Sequence, residues 1–132
     1  MILVDTSVWI DFLRGTPSAS AKALETLIAS RADICICGVI LTEILQGTRS
    51  DKQFAQIQDL LDATVFLPMG RETFTHAAIL YRKLRKKGYT IRKPIDCMIA
   101  AVAIEHEVPL LHNDKDFLPL EKHTSLESYR TK

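Results

Sequence analysis

Ile2-Leu3-Val4-Asp5-Thr6-Ser7-Val8-Trp9-Ile10 is the stretch on which the reading of the whole chain turns. Three apolar residues run straight into an aspartate, as in a short buried strand that ends on a carboxylate. A helix follows at once, with Thr6 or Ser7 free to cap it. In open α/β sheets the ligand crevice lies beyond the carboxyl ends of the strands. Asp5 therefore stands where such folds do chemistry, and the other acids divide by whether they can join it.

Outward from that stretch, strands alternate with helices. The first helix runs to about Leu13, where Gly15 and Pro17 break it. Ser18 or Ser20 opens a second helix with an apolar stripe of Leu24, Leu27 and Ile28. Residues 33–37 form a second strand, and Gly38 turns into a helix over 39–45 that Gly47 stops. Residues 51–61 read as a helix and 64–67 as a third strand. A long amphipathic helix over 73–87 buries Phe74, Ala77 or Ala78, Tyr81 and Leu84. Pro94 opens a helix that is apolar nearly all round through Ile104, which predicts a central position. Residues 108–111 are the next strand and 113–116 the turn beyond it, followed by a short helix around Phe117 and a fifth strand near Thr124. No repeat or linker interrupts the alternation. It predicts a parallel sheet covered on both faces, a three-layer α/β/α sandwich forming one domain over residues 1–132.

With 132 residues, 47% of them hydrophobic, the chain can bury one real core. No apolar run approaches the ~20 residues that cross a bilayer. The start lacks a basic region ahead of an apolar one, so a cytoplasmic protein without a membrane partner is expected. Three cysteines, two of them at strand spacing as Cys35 and Cys37, are too few for a zinc site and read as buried thiols. A net charge of +1 names no partner, but its distribution is uneven. Arg82, Lys83, Arg85, Lys86, Lys87, Arg92 and Lys93 lie close together with no acid among them. They either hold a nucleic-acid backbone or solvate a helix end.

Most acids fall on polar faces or in loops, but four places differ. Asp5 ends an apolar strand, Glu43 sits in a mostly apolar helix, Asp96 lies in the first turn of the central helix, and Asp114 with Asp116 follows the strand at 108–111. Each has an ordinary reading. Asp5 can cap the first helix, Asp96 can complement a helix dipole, Glu43 can reach solvent, and Asp114 and Asp116 can serve as turn and cap residues. As a set, carboxylates in apolar settings require a compensating cation. The basic residues cluster elsewhere in the sequence, so a divalent metal is the alternative. Oxygen ligands without His or Cys point to Mg²⁺ or Mn²⁺, hence to metal-assisted phosphodiester hydrolysis by an activated water. Within the last pair, Asp114 closely follows a strand end and is expected to reach the metal, whereas Asp116 precedes Phe117 and is expected to cap the short helix.

These residues resemble a PIN domain of the VapC toxin type. The matching stretches are the opening one, Leu41-Thr42-Glu43-Ile44, Pro94-Ile95-Asp96-Cys97-Met98-Ile99-Ala100-Ala101, and Leu111-His112-Asn113-Asp114-Lys115-Asp116-Phe117. They stand in family order across residues 2 to 117. The resemblance implies the PIN-like α/β/α sandwich and an endoribonuclease dependent on Mg²⁺, with Mn²⁺ able to substitute. It further implies a toxin held inactive by a small cognate antitoxin, as a homodimer within a larger complex. It assigns Asp5, Glu43 and Asp96 to the metal site, with Asp114 or Asp116 as the last acid and Ser7 and Asn113 in support. The basic residues Arg82, Arg85, Lys86, Lys87, Arg92 and Lys93 would hold the RNA. Cys37-Gly38 departs from the pattern, because many relatives cap the Glu43 helix there with Ser or Thr.

Three rivals use the same residues. A phosphatase or receiver-type domain would make Asp5 a phosphoryl acceptor, although Ser7 stands where haloacid-dehalogenase-like phosphatases carry a second Asp. A PIN-like module could bind RNA without cutting it. A metal-free nuclease would draw on His76, His106, His112 and His123.

Overall fold

A computed structural model describes residues 1–130. Among the described residues four parallel strands form one sheet: β1 (Ile2–Val4), β2 (Ile34–Cys37), β3 (Val65–Leu67) and β4 (Leu110–Leu111). The helices of the described residues cover it: α1 (Thr6–Arg14), α2 (Ala19–Ala29), α3 (Gly38–Gln46), α4 (Asp51–Asp62), α5 (Arg71–Lys86), α6 (Pro94–Glu105) and α7 (Leu118–His123). The spatial order β3-β2-β1-β4 fixes where chemistry can occur. The chain winds from β1 outward through β2 to β3, then returns to lay β4 on the other side of β1. The order therefore reverses between β1 and β4, and a crevice opens beyond their carboxyl ends.

Register places the acids. Val4 stands opposite Leu111, and the N–H of Asp5 donates to the carbonyl of Leu111 at 2.9 Å. Asp5 thus leaves β1 beside the point where the chain leaves β4 for Asn113 and Asp114. The two central strands are buried, Leu3, Val4, Cys35 and Cys37 completely so, as a sheet packed on both faces requires. All three cysteines are buried free thiols, and burial pushes Cys37 and Cys97 each up to about 11. Helix α6 is the central helix, with seven of its residues buried, Asp96 among them. No helix among the described residues is long and apolar enough to cross a membrane.

Several expectations need correction. Asp5 itself caps α1, with its side chain accepting from the N–H of Ser7; neither Thr6 nor Ser7 does. Ser18 caps α2. On α5 the buried residues are Thr73, Ala77, Leu80 and Leu84, while Phe74 points outward and is 46% exposed. The helix begins at Arg71, two residues earlier than expected, and Thr73 turns inward to donate to Glu105 on α6. No strand forms near Thr124. Among the described residues the sheet instead gains a single parallel bridge from Leu110 to Ser128. Helix α3 starts at Gly38, and Cys37 before it makes no side-chain cap bond, as the Cys37-Gly38 departure implied.

Candidate active site

Five carboxylates line the crevice from four elements, and they fall into two differently held groups. Asp5 and Glu43 are held by hydroxyls. Oδ2 of Asp5 accepts from both the backbone N–H of Ser7, at 3.0 Å, and the Ser7 hydroxyl, at 2.6 Å. The same hydroxyl oxygen accepts from the N–H of Asn113 at 3.0 Å, so Ser7 ties the end of β1 to the loop after β4. The Asn113 side chain donates to Asp11 at 2.9 Å, locking that loop onto α1. Thr6 donates to Oε1 of Glu43 at 2.8 Å. Consecutive residues of one helical turn thus fix both acids.

Asp96, Asp114 and Asp116 form the second group, with one oxygen from each lying within 4.8 Å of the others. Asp5 and Glu43 stay outside this tight cluster. Asp5 is nevertheless close enough that its charge helps to raise the pKa of Asp96. Asp96 is 4% exposed, and its Oδ2 is buried without a hydrogen-bond partner. Its pKa is pushed up to about 7, first by burial and then, against the pull of Lys93, by Asp114, Asp5 and Asp116. Burial also raises Asp5, and the Ser7 hydrogen bonds only partly offset it. Burial would raise Asp114 too, but the Lys93 hydrogen bond and the N–H of Asp116 hold it below the usual carboxylate value.

Two sequence expectations change here. Asp114, not Asp116, caps the helical turn at Lys115–Phe117, through Oδ1 and the Asp116 N–H at 2.9 Å. Asp116 instead turns its carboxylate into the cluster. The basic residues do not all lie elsewhere, either. Nζ of Lys93 is 2.5 Å from Asp114 and 3.8 Å from both Asp96 and Asp116. The other six, exposed like Lys93, lie within 4.0 Å of no carboxylate among the described residues. Arg82, Lys83, Arg85 and Lys86 lie on α5 near its C-terminus, Lys87 just past it and Arg92 shortly before α6, at the end of the α5–α6 pair where Asp96 lies.

Sequence reasoning missed Thr6, Asp11 and the support behind Asp114. The Asp114 N–H donates to Nδ1 of His112 at 3.2 Å, and Nε2 lies beside Ser128 at 3.1 Å and Glu121 at 3.3 Å. The His112 ring packs on Phe117, with centroids 4.8 Å apart. Thr6 and Glu43 are 37 positions apart and Asn113 and Asp11 are 102 apart, and no local pattern announces such pairs. The other histidines are scattered: His76 pairs with Glu105, His106 meets the Pro68 carbonyl and His123 meets Tyr89.

Beside Glu43 the crevice continues into an apolar groove of about 510 Å³ lined by Val39, Phe66, Met69, Phe74 and Ile95. Phe66, on edge strand β3, is 53% exposed, so this end of the sheet is not fully covered.

The chain matches the PIN domain family over residues 2–122. It is 35% identical over 130 residues to the VapC ribonuclease Mb1587 of Mycobacterium bovis, covering 97% of each protein. It is 31% identical over 117 residues to ribonuclease VapC18 of Mycobacterium tuberculosis, covering 86% of this chain and 82% of that one. Its backbone resembles that of VapBC2 from Rickettsia felis, solved bound to a promoter DNA fragment, with a TM-score of 0.75, 22% identity and 98% of each chain covered. The chain belongs to the PIN-domain family, and within it to the VapC ribonucleases.

Proposed function

We propose that this protein is the toxin of a toxin–antitoxin pair, a cytoplasmic endoribonuclease that depends on Mg²⁺, with Mn²⁺ able to substitute. One observation carries the metal reading: the buried, unpartnered Oδ2 of Asp96 beside Asp114 and Asp116. A buried anion without a donor is costly, and oxygen-only donors suit these two ions. The residues present therefore fit the group. Asp96, Asp114 and Asp116 would hold it, with Asp5 and Glu43 completing the acid lining. When bound, a divalent ion acts as a Lewis acid toward phosphate oxygens and brings the pKa of water toward neutrality.

The chain's own residues do the rest. Ser7 holds Oδ2 of Asp5, which leaves Oδ1 to ligate or to take a proton. Thr6 holds Glu43 in the same way, so neither acid must reorganise during reaction. Asn113, through its backbone N–H and side chain, fixes the loop that carries Asp114. The exposed Arg82, Arg85, Lys86, Lys87 and Arg92 would run along the RNA backbone, with Lys93 at the mouth of the site. The rival use of Asp5 as a phosphoryl acceptor is disfavoured by Ser7, which stands where haloacid-dehalogenase-like phosphatases carry a second Asp.

A toxin needs restraint, and an unpartnered apolar groove opening beside Glu43 supports a small cognate antitoxin that covers the site. VapBC and FitAB complexes are among the solved structures that share this backbone, and a homodimer within a larger complex is the assembly proposed for this chain.

The purified chain should cut RNA with Mg²⁺ or Mn²⁺ and stop with EDTA. Asp5→Asn, Glu43→Gln and Asp96→Asn should each lower cleavage by about a thousandfold or more while circular dichroism stays native, as expected when electrostatic catalysis is lost. Full cleavage in EDTA, or in any two of these variants, would overturn the reading. Binding of RNA without cutting would favour the non-cleaving module.

A further inference from the structure

Lys93 is unlike the rest of the basic stretch. Among the described residues it is the one Lys or Arg within 4.0 Å of any carboxylate, and it meets three: Asp114, Asp96 and Asp116. Its position follows from the chain. Lys93 is the extended residue that opens α6, directly before Pro94, and it stands three residues ahead of Asp96. It makes no side-chain cap bond, so the stem is free to reach across to the loop after β4.

The two ends of the contact differ. The Asp96 side chain is 5% exposed, whereas that of Lys93 is 50% exposed. The ammonium therefore sits at the mouth of the cluster and plugs it from the solvent side. It hydrogen-bonds Asp114 but stays 3.8 Å from Asp96, which leaves the buried Oδ2 without a donor. A single charge on a flexible four-carbon stem can move away without disturbing the helix that carries it.

We propose that Lys93 is a built-in stand-in for the divalent ion: its ammonium neutralises Asp96, Asp114 and Asp116 in the metal-free chain and leaves when the ion enters. This rests on the metal-site reading above. A divalent cation ligates carboxylate oxygens directly, at about 2.0–2.1 Å for Mg²⁺. An ammonium and a divalent ion on the same three carboxylates would lie close together, and like charges at that range repel. Lys93 thus keeps the empty cluster together and at the same time weakens its affinity for metal. It is a positioning residue for the acids.

The test compares wild type with Lys93→Met, which keeps the length of the stem and removes the charge. Calorimetric Mn²⁺ titration at fixed ionic strength should show the variant binding about tenfold more tightly, an order-of-magnitude expectation for losing one competing like charge. In EDTA the variant should melt lower than wild type, because three acids lose their cation; with saturating Mn²⁺ the two should melt together. Equal or weaker Mn²⁺ binding by a folded Lys93→Met overturns the proposal and leaves the metal site standing. Absence of Mn²⁺ binding in both proteins removes the metal site and the proposal together. A measurement on wild type alone guards against a misfolded variant. Acylation of Lys93 by a water-soluble reagent, followed by mass spectrometry against Lys86, should rise several-fold on adding Mg²⁺. Unchanged labelling of Lys93 overturns the proposal as well.

Discussion

The two groups of acids meet in one crevice but are held by opposite means. Asp5 and Glu43 accept from Ser7 and Thr6, neutral hydroxyls on α1 that no ion needs to displace. Asp96, Asp114 and Asp116 share one ammonium, and the deepest of them keeps an oxygen with no donor at all. The first group is finished by folding; the second keeps an unpartnered carboxylate oxygen that the proposed cation would satisfy. A hydroxyl fixes a carboxylate without neutralising it, whereas an ammonium neutralises and can be exchanged for another cation. The difference locates the variable part of the site in the Asp96 half.

The largest effect expected from this difference is on the pH dependence of stability. Asp96 has a folded pKa of about 7 against an ordinary value of 3.8. A carboxyl raised in this way favours the fold while it is protonated, so its contribution is full below about pH 4 and is lost as pH rises toward 7. The metal-free protein should therefore melt lower at pH 8 than at pH 5. Asp5, also raised, adds a slope of the same sign, and Asp114, lowered, acts only at more acid pH. Asp96→Asn should flatten most of the slope and melt higher than wild type at pH 8 in EDTA. Thermal melts of both proteins from pH 4 to 8 check this, and a wild-type Tm that climbs across the window would break the contrast.

Ser7→Ala sharpens the other half. It deletes the hydroxyl that joins Asp5 to Asn113, at a cost of about 1.5–3 kcal/mol for a hydrogen bond to a charged group. Cleavage should fall by about tenfold, since Asp5 and the loop carrying Asp114 lose their common anchor. Mn²⁺ affinity should change less than it does in Asp114→Asn. Kinetics and calorimetry on the two variants separate positioning from ligation.

The smallest effect separates the two neighbouring aspartates. Asp114→Ala removes a helix cap and should cost about 1 kcal/mol of stability, while Asp116→Ala should cost less. Urea unfolding of the two variants decides the order; a larger loss in Asp116→Ala would restore the cap to Asp116.

The fold was largely legible because its signals are local. Apolar runs ending on Asp5 and Cys37, Pro94 at a helix start and Gly47 at a helix stop each act within a few residues. The four acid positions were legible as well, through the mismatch between a charge and an apolar neighbourhood. What stayed hidden depends on register and on chain reversals. Phe74 reads as core by its chemistry, yet beginning α5 at Arg71 with Thr73 inward turns it to the surface. Asp114 and Asp116 share similar sequence surroundings, and only the turn after β4 shows which one caps. Lys93 belongs by sequence to a basic stretch, and only the packing of α6 against the β4 loop brings it to Asp114, 21 positions away.

The half-finished acid cluster is proposed to take a divalent cation. Calorimetric titration of Mn²⁺ into the purified, antitoxin-free protein at pH 8, beside Asp96→Asn, tests it most directly. Saturable binding by wild type, weakened at least tenfold in a natively folded Asp96→Asn, is the predicted result. Absence of binding in wild type, or equal binding in both proteins, would contradict it.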